Sequence, residues 1–385
     1  MDSKNYPVNK ANSWNGWDPL KQVVLGNVFD PDFFEDIGDP KLRDLLQRLL
    51  YETHEDLMGI KKTLEDLGVE VVQPPRNSVT SYAAAPDTKE FSGISEAFEY
   101  YKDSFPVMKY DGYSYHGVPR PCLMPRDYYV TIGDKILFTG HLVEGSKVHK
   151  MFNPDIIDYW PDKKLINRNT GELANNFWAP QIVRVGDKLI IDEEDYSNLG
   201  EKVLERYPIF KGSKITVGGH TDGCMNLPKP GLVICAPWMG PENFKDSLPG
   251  WDVFRLDSPN FMHGDDIRGK QNNEYISWEN EKKLTRGRWW HPEAKSNPDL
   301  VKYVDEWLNH WVGFAEETMF EVNMLSVSEE VILSMNYQKD VHTALKKHGI
   351  EAIYCRFRHR NFWDGGLHCL TLDTVREGGM QCYLE

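Results

Sequence analysis

The chain has 385 residues, with 59 acidic against 44 basic side chains and a formal net charge of −15 at pH 7. This acidic balance gives no whole-chain electrostatic support to nucleic acid or an anionic membrane as a partner. No apolar run approaches the ~20 residues that span a bilayer, and the N-terminus lacks an apolar signal core, so the sequence predicts a soluble, cytoplasmic protein. The six cysteines form no C-x-x-C pair, which argues against a zinc site and a disulfide framework.

The beginning of the chain predicts a strand, a long helix and a second strand. The apolar run at 22–26 ends at a glycine and is typical of a short buried strand. Asp39 and Pro40 then open a helix with apolar residues at helical spacing, and Gly68 is its stop signal before a strand at 69–72. The same order returns near the other end of the chain, at 331–333, 340–347 and 350–354. This indicates a faint internal repeat of an α/β unit.

The middle of the chain predicts short strands joined by tight turns. Gly-Asp separates the apolar run 129–132 from 135–138, and again the run 182–185 from 188–191, which suits two hairpins. Two further predicted strands lie at 215–217 and 232–235.

Three separate stretches carry side chains that suit covalent chemistry. Cys369 closes the sequence Gly-Gly-Leu-His-Cys at 365–369, and glycines permit a positive φ or a close approach of other groups at the floor of a pocket. Alone, this thiol is more simply read as a small buried hydrophobe. The stretches 218–222 and 124–127 change that reading, because they add an imidazole and two carboxylates from His220, Asp222 and Asp127.

In this order and spacing the chain resembles the arginine:glycine amidinotransferase family, nearly from end to end. The matching pieces are Asn15-Gly-Trp-Asp-Pro-Leu-Lys-Gln-Val-Val-Leu-Gly26, Met124-Pro-Arg-Asp127, His220-Thr-Asp222, Pro230-Gly-Leu-Val-Ile234, Asn323-Met-Leu325, Gly365-Gly-Leu-His-Cys369 and Gln381-Cys-Tyr-Leu384. The resemblance implies an α/β fold of the pentein type, a propeller of five ββαβ-like units around a pseudo-fivefold axis with a central active site. It implies small-molecule substrates and no metal or cofactor, and it leaves a homodimer open.

The resemblance also implies a reaction and its residues. The amidino group of L-arginine, or of another guanidino donor, would pass to an amine such as glycine through a covalent intermediate on Cys369. His220 would be the acid/base, and Asp127 and Asp222 would hold the guanidinium, which carboxylates bind best in bidentate geometry. The remaining implied substrate-binding residues are Asn226, Asn323, Gly366 and His368.

Two positions depart from the family pattern. Where the family places an acid behind the histidine, this chain has Trp178, whose indole cannot accept a hydrogen bond from an imidazole. We therefore expect another polar partner for His220, first Gln181 and then a carboxylate such as Glu172 or Asp192. Where the arginine-using enzyme has an arginine for the substrate carboxylate, this chain has Trp238-Met239.

Residues 262–310 are polar and tryptophan-rich, with a predicted helix from Asn297 to Trp311. We interpret them as an insertion in a single domain that spans 1–385. Aromatic and arginine residues anchor buried contacts, so we expect the insertion to cover the pocket mouth or to enter a subunit interface. As a lid it would offer three arginines for the donor carboxylate, namely Arg268, Arg286 and Arg288.

Three alternative readings stay open. A hydrolase of the same broad superfamily, of the arginine deiminase or dihydrolase type, would admit water in place of the amine. The second is an inactive homologue that only binds guanidinium. Cys369 argues against it, because binding alone does not need a thiol. A metal site at His263-Gly-Asp-Asp266 is a weaker idea, since such a cluster is more often a solvated turn.

Overall fold

The structure is a computed structural model, and it describes most of the chain in segments. The described residues are 6–76, 93–101, 108–110, 113–115, 120–140, 151–160, 164–174, 176–218, 220–256, 297–308, 311 and 320–384.

The helices are one long N-terminal helix and several shorter ones. They are α1 (Pro40–Asp66), α2 (Ile94–Tyr101), α3 (Leu199–Arg206), α4 (Thr221–Cys224), α5 (Pro241–Phe244), α6 (Pro298–Trp307), α7 (Lys339–Lys347) and α8 (Arg360–Trp363). Short 3₁₀ turns occur at Pro31–Phe34, Pro125–Asp127 and Ala179–Gln181. Among the helices that the structure describes, none combines the length and the apolar character needed to cross a lipid bilayer.

The strands are short, most of them two to six residues long. In chain order they are β1 (Leu20–Leu25), β2 (Glu70–Val72), β3 (Met108–Tyr110), β4 (Tyr113–Tyr115), β5 (Tyr129–Ile132), β6 (Lys135–Phe138), β7 (Ile157–Tyr159), β8 (Leu165–Ile166), β9 (Leu173–Ala174), β10 (Ile182–Val185), β11 (Lys188–Asp192), β12 (Lys211–Ile215), β13 (Met225–Lys229), β14 (Leu232–Cys235), β15 (Asp252–Arg255), β16 (Leu325–Ser326), β17 (Val331–Ser334), β18 (Glu351–Tyr354) and β19 (Thr371–Arg376).

Within the described segments, five three-stranded sheets repeat one pattern. Their strand orders are β19-β1-β2, β5-β6-β7, β10-β11-β12, β13-β14-β15 and β16-β17-β18. In each sheet the middle strand pairs antiparallel with the first strand and parallel with the last. Parallel neighbours need a crossover connection, and in four of the sheets the described part of that crossover includes a helix, namely α1, α3, α5 or α7. The internal repeat seen in the sequence is thus a strand-strand-crossover-strand unit.

Most of the predicted elements are present. Both hairpins are antiparallel, and their turn glycines Gly133 and Gly186 have φ of +62° and +64°. The helix predicted after Asp39 is α1, whose first turn the Asp39 side chain caps by accepting from Lys41 N. The strand predicted at 215–217 is wrong, because the strand there is β12, which ends at Ile215. β12 is a largely exposed edge strand of polar residues, so apolar content could not locate it.

The described end of the predicted insertion packs on the core. The helix predicted from Asn297 is α6, and the Asn297 side chain caps it by accepting from Leu300 N. Val304 and Trp311 are buried in the same apolar cluster as the leucines of α1. The rest of the insertion lies outside the described residues, including His263, Asp266, Arg268, Arg286 and Arg288.

Candidate active site

The polar residues of the site occupy the same place in each three-stranded sheet. The first strands of the five sheets are β5, β10, β13, β16 and β19, and a turn or short helix stands immediately before each of them. The side chains in these positions are Asp127, Gln181, Asp222, Asn323 and Cys369, respectively. A repeated unit therefore delivers one polar side chain per sheet to a common region.

The elements before the first strands also touch one another. The turn Pro125–Asp127 contacts both the turn Ala179–Gln181 and strand β19, and the turn Ala179–Gln181 contacts α4. Asn323 closes the remaining gaps, because its Nδ2 lies 3.1 Å from the carbonyl oxygen of Asp222 and 2.9 Å from Sγ of Cys369.

Cys369 is held tightly by its neighbours. Its backbone N–H donates to Oδ1 of Asn323 at 3.0 Å, and its side chain is 1% exposed. Glycine is required at position 366 because a Cβ there would lie 2.5 Å from Cβ of Asn323, whereas a Cβ at Gly365 would lie 2.2 Å from Cε of Met124 and would displace the end of that flexible side chain. The glycines thus serve close packing. In this loop the positive φ, +48°, belongs to Asp364.

Asp222 is the carboxylate beside the thiol. Its Oδ2 is 3.4 Å from Sγ of Cys369 and 2.7 Å from Nδ1 of His368. Its Oδ1 is buried and has no hydrogen-bond partner among the described residues. Since an unpaired buried carboxylate oxygen is costly, this atom is suited to accept from a ligand N–H.

His220 stands at the N-terminal end of α4 and faces a different carboxylate. Its Nδ1 lies 3.9 Å from Oδ1 of Asp127, an ion-pair distance longer than a hydrogen bond. Its ring packs on the indole of Trp178, with 4.9 Å between the ring centroids. The position where the family has its acid therefore supplies an aromatic surface to the imidazole.

The partners expected for His220 are placed elsewhere. Gln181 uses its side chain to accept from Trp178 N and to donate to Asp195 at 3.3 Å. Asp192 supports the next residue along, since its Oδ2 accepts from the hydroxyl of Thr221 at 3.3 Å. Glu172 is an exposed residue of a turn.

The charges of the site oppose ionisation of the thiol. Burial and then the negative charges of Asp222 and Asp127 raise the pKa of Cys369 well above its usual range. Burial would raise the pKa of Asp222 too, but the hydrogen bond and charge of His368, with His220 and Arg126, lower it to about 2. Without a ligand, a protonated thiol thus faces an ionised carboxylate.

Behind the site lies a buried ion cluster that the sequence analysis missed. Arg126, Arg184 and Arg376 all hydrogen bond to the carboxylate of Asp373, and we call these four residues the arginine cluster. Although burial alone would raise the pKa of Asp373, the three guanidinium groups hold it well below its usual range. A cavity of about 60 Å³ separates the cluster from the site, and its lining includes Arg126, Arg184, Asp222, Asn226 and His368.

Comparisons with known proteins relate the whole chain to amidinotransferases. No protein-family model matches the chain. It is 22% identical over 396 residues to inosamine-phosphate amidinotransferase 1 of Streptomyces glaucescens, covering 96% of this chain and 97% of the relative. It is also 22% identical over 411 residues to the L-arginine:L-lysine amidinotransferase of Pseudomonas savastanoi pv. phaseolicola, covering 97% and 96%. A solved amidinotransferase of the saxitoxin biosynthetic pathway from Microseira wollei matches with a TM-score of 0.58 and 18% identity, covering 97% of this chain and 99% of that one. Over nearly its whole length, the chain is thus similar to amidinotransferases.

The residues that the family resemblance singled out divide into two groups. Asn323, Gly366 and His368 lie within the contacts that hold Cys369 and Asp222. Asn226 lines the cavity, and its Nδ2 donates to the carbonyl oxygen of Met324 at 2.8 Å.

Trp238 and Met239 stand where the arginine-using enzyme has an arginine for the substrate carboxylate, and the two residues have opposite surroundings. Met239 is buried, whereas Trp238 is 48% exposed and donates through Nε1 to the carbonyl oxygen of Val217 at 2.7 Å. Neither side chain can pair with a carboxylate as a guanidinium does. A donor carboxylate therefore has no cationic partner at this position.

Proposed function

We propose that the chain transfers an amidino group from a guanidino donor such as L-arginine to an amine acceptor, through a covalent adduct on Cys369. The observation that carries the proposal is the pairing of a buried thiol with a carboxylate whose Oδ1 accepts from none of the described residues. A guanidinium that donates to Oδ1 of Asp222 brings its carbon next to Sγ, because the two side chains are 3.4 Å apart.

Donor binding also favours ionisation of the Cys369 thiol. Asp222 and Asp127 both raise the pKa of Cys369 in the empty site. A bound guanidinium cation offsets these two negative charges and lowers the pKa again, so the nucleophile forms where the substrate already lies. Asp127, the second proposed guanidinium ligand, also lies 3.9 Å from His220 and so keeps the imidazole near the donor.

The reaction then takes two displacement steps. The thiol proton of Cys369 passes to His220, Sγ bonds to the guanidinium carbon, and the bond from that carbon to the donor amine breaks as His220 gives the proton to the departing nitrogen. In the second step the acceptor amine bonds to the same carbon and passes a proton to His220, the bond from carbon to Sγ breaks, and His220 returns the proton to the thiolate. Because the acid of the first step is the base of the second, one imidazole serves both.

The acceptor is an amine, and glycine is one candidate. The names of the relatives specify different acceptors, an inosamine phosphate and L-lysine. The site differs where the family's arginine would be, so we propose that donor and acceptor selection depend on residues outside Trp238 and Met239.

We further propose that the five three-stranded sheets form one catalytic domain arranged as a propeller around a pseudo-fivefold axis. The support is the repeated pairing pattern of the sheets and the contacts between the turns before their first strands. These turns follow one another from Asp127 to Gln181, Asp222, Asn323 and Cys369, and strand β19 returns to the turn of Asp127.

Product analysis tests the proposed reaction. Incubation with L-arginine and a panel of amines that includes glycine and L-lysine should give ornithine together with the guanidino form of one amine. Citrulline or ammonia without any guanidino product would replace the transferase with a hydrolase. No product from any guanidino donor would favour a binding protein.

A further inference from the structure

His368 approaches the site from the side of the cavity. It lines the cavity together with Asp222, and its Nδ1 lies 2.7 Å from Oδ2 of that carboxylate. Its backbone is fixed as well, because its N–H donates to the carbonyl oxygen of Asn323 at 3.4 Å and its carbonyl accepts from Thr371 N at 3.1 Å. The imidazole is therefore anchored at both its backbone and its ring.

The direction of the His368 hydrogen bond follows from the charge of its partner. With a pKa of about 2, Asp222 is ionised at neutral pH and can only accept. Burial and the charge of Arg126 lower the pKa of His368, and in either charge state of the ring the nitrogen that faces an ionised carboxylate must be the protonated one. Nδ1 therefore carries the proton and donates it to Oδ2.

We propose that His368 is a positioning residue, which holds Oδ2 of Asp222 so that Oδ1 remains the oxygen that receives the donor guanidinium. This inference rests on the proposed function and gives His368 a role without substrate contact. An aspartate carboxylate turns easily about its terminal torsion, because that torsion has broad, roughly two-fold preferences. The bond from Nδ1 removes this freedom, and it orients the oxygen next to Sγ of Cys369 at the same time.

The charged groups around Asp222 allow the role to be measured through pH. They are His368, His220 and Arg126, which favour ionisation, and Cys369, whose thiol donates to Oδ2. Loss of the His368 donor removes the first of these and raises the pKa of Asp222. Since the guanidinium binds the ionised carboxylate, the loss of affinity on acidification must then begin at higher pH.

The test compares two variants of nearly equal shape, His368→Asn and His368→Leu. The asparagine amide can place a donor near the position of Nδ1, whereas leucine fills similar space without one. L-Arginine affinity is measured by calorimetry from pH 4 to 8 in the full chain carrying Cys369→Ser, so that no transfer occurs. We expect His368→Asn to bind like the parent. We expect His368→Leu to bind L-arginine at least about tenfold more weakly than the parent. Its affinity should also begin to fall at a higher pH on acidification.

A double-mutant cycle with Asp222→Asn separates positioning from a general structural effect. If His368 acts through Asp222, adding His368→Leu to Asp222→Asn causes little further loss of affinity. Equal losses in the asparagine and leucine variants, or additive losses in the cycle, would overturn the proposal. Should the leucine variant not fold in a thermal melt, His368→Ala takes its place in the same comparison.

The outcome is independent of the transfer reaction. If the variants rank as expected while no guanidino product forms from any amine, the proposed reaction fails and the role of His368 stands. If guanidino product forms but both variants bind L-arginine like the parent, the reaction stands and the role of His368 fails. If the parent binds neither L-arginine nor any other guanidino donor at any pH, both are overturned.

Discussion

Two buried carboxylates near Arg126 are used in opposite ways. Both oxygens of Asp373 accept hydrogen bonds from guanidinium groups of the arginine cluster. One oxygen of Asp222 accepts from His368 and Cys369, whereas the other accepts from none of the described residues. The cavity separates the two. Each carboxylate is ionised, but only Asp373 already has guanidinium partners.

This difference separates a structural ion cluster from a binding site. Buried polar groups in folded proteins are nearly always paired. The pairing of both oxygens of Asp373 is therefore typical of a carboxylate with a structural role. The arginine cluster also ties strands β10 and β19 to the turn before β5. Asp222 is also buried and ionised, but its Oδ1 accepts from none of the described residues, and a substrate guanidinium would pair with it as three arginines pair with Asp373.

Removal of the thiol should have the largest effect on turnover and little effect on folding. We expect Cys369→Ala and Cys369→Ser to abolish formation of ornithine from L-arginine, because the role of the thiol is chemical and the change in volume is small. Thermal melting of both variants should match the parent. Substantial activity in either would remove Cys369 from the mechanism.

Neutralisation of Asp373 should damage the fold rather than the chemistry. Asp373→Asn leaves three buried guanidinium groups without their carboxylate, which should lower the free energy of unfolding by about 3–5 kcal/mol. Urea denaturation measures this, with Asp222→Asn as the matched control that should lose less. If Asp222→Asn proved the more destabilised of the two, the division between cluster and site would be wrong.

Neutralisation of the site carboxylates should weaken ligand binding. Asp222→Asn and Asp127→Asn each exchange a charged acceptor for an amide that also presents donors, so each should cost ~1.5–3 kcal/mol of guanidino-ligand affinity. Calorimetry with L-arginine in the Cys369→Ser background gives the value. Unchanged affinity in both variants would contradict the assignment of these residues as guanidinium ligands.

Asp192 is a third kind of buried carboxylate. Its substitution should have the smallest effect among these predictions. Burial, with the charges of Glu194 and Asp195, raises its pKa to about 7, against the hydrogen bonds from Glu194 N and Thr221. The folded state therefore holds this proton up to a higher pH than the unfolded chain does, so stability from this group is present below pH 4 and is lost as pH rises towards 7.

Asp192→Asn removes that titration while keeping an acceptor for Thr221. We expect its melting temperature relative to the parent to improve from pH 5 to pH 8. A relative melting temperature that is constant over this range, or that falls, would show that Asp192 is ionised throughout.

Local elements could be predicted from the sequence, whereas pairings between distant elements could not. α1 was found because helical spacing, a capping aspartate and a stop glycine all lie within one segment. The two hairpins were predicted because a two-residue Gly-Asp turn joins neighbouring apolar runs in each of them. The parallel partner β12 was misplaced because its residues are polar, and what makes it a strand is the neighbouring β11.

The site was predictable only where a motif carries it. Motifs singled out Cys369, Asp222 and Asp127 as candidates, but the bond between His368 and Asp222 joins residues that are 146 apart in sequence. The arginine cluster had a signal that was overlooked. Arg184 is a charged residue inside the apolar run Ile182–Val185, and a charged residue in a buried strand must find a partner of opposite charge.

The intact mass of the protein after mixing with L-arginine tests the central claim most directly. The account predicts that the parent chain gains the mass of one amidino group on Cys369, that an amine acceptor removes it, and that Cys369→Ser gains nothing. An unchanged mass throughout a reaction that yields ornithine would contradict a covalent intermediate. The same adduct on the Cys369→Ser protein would place the nucleophile at another residue.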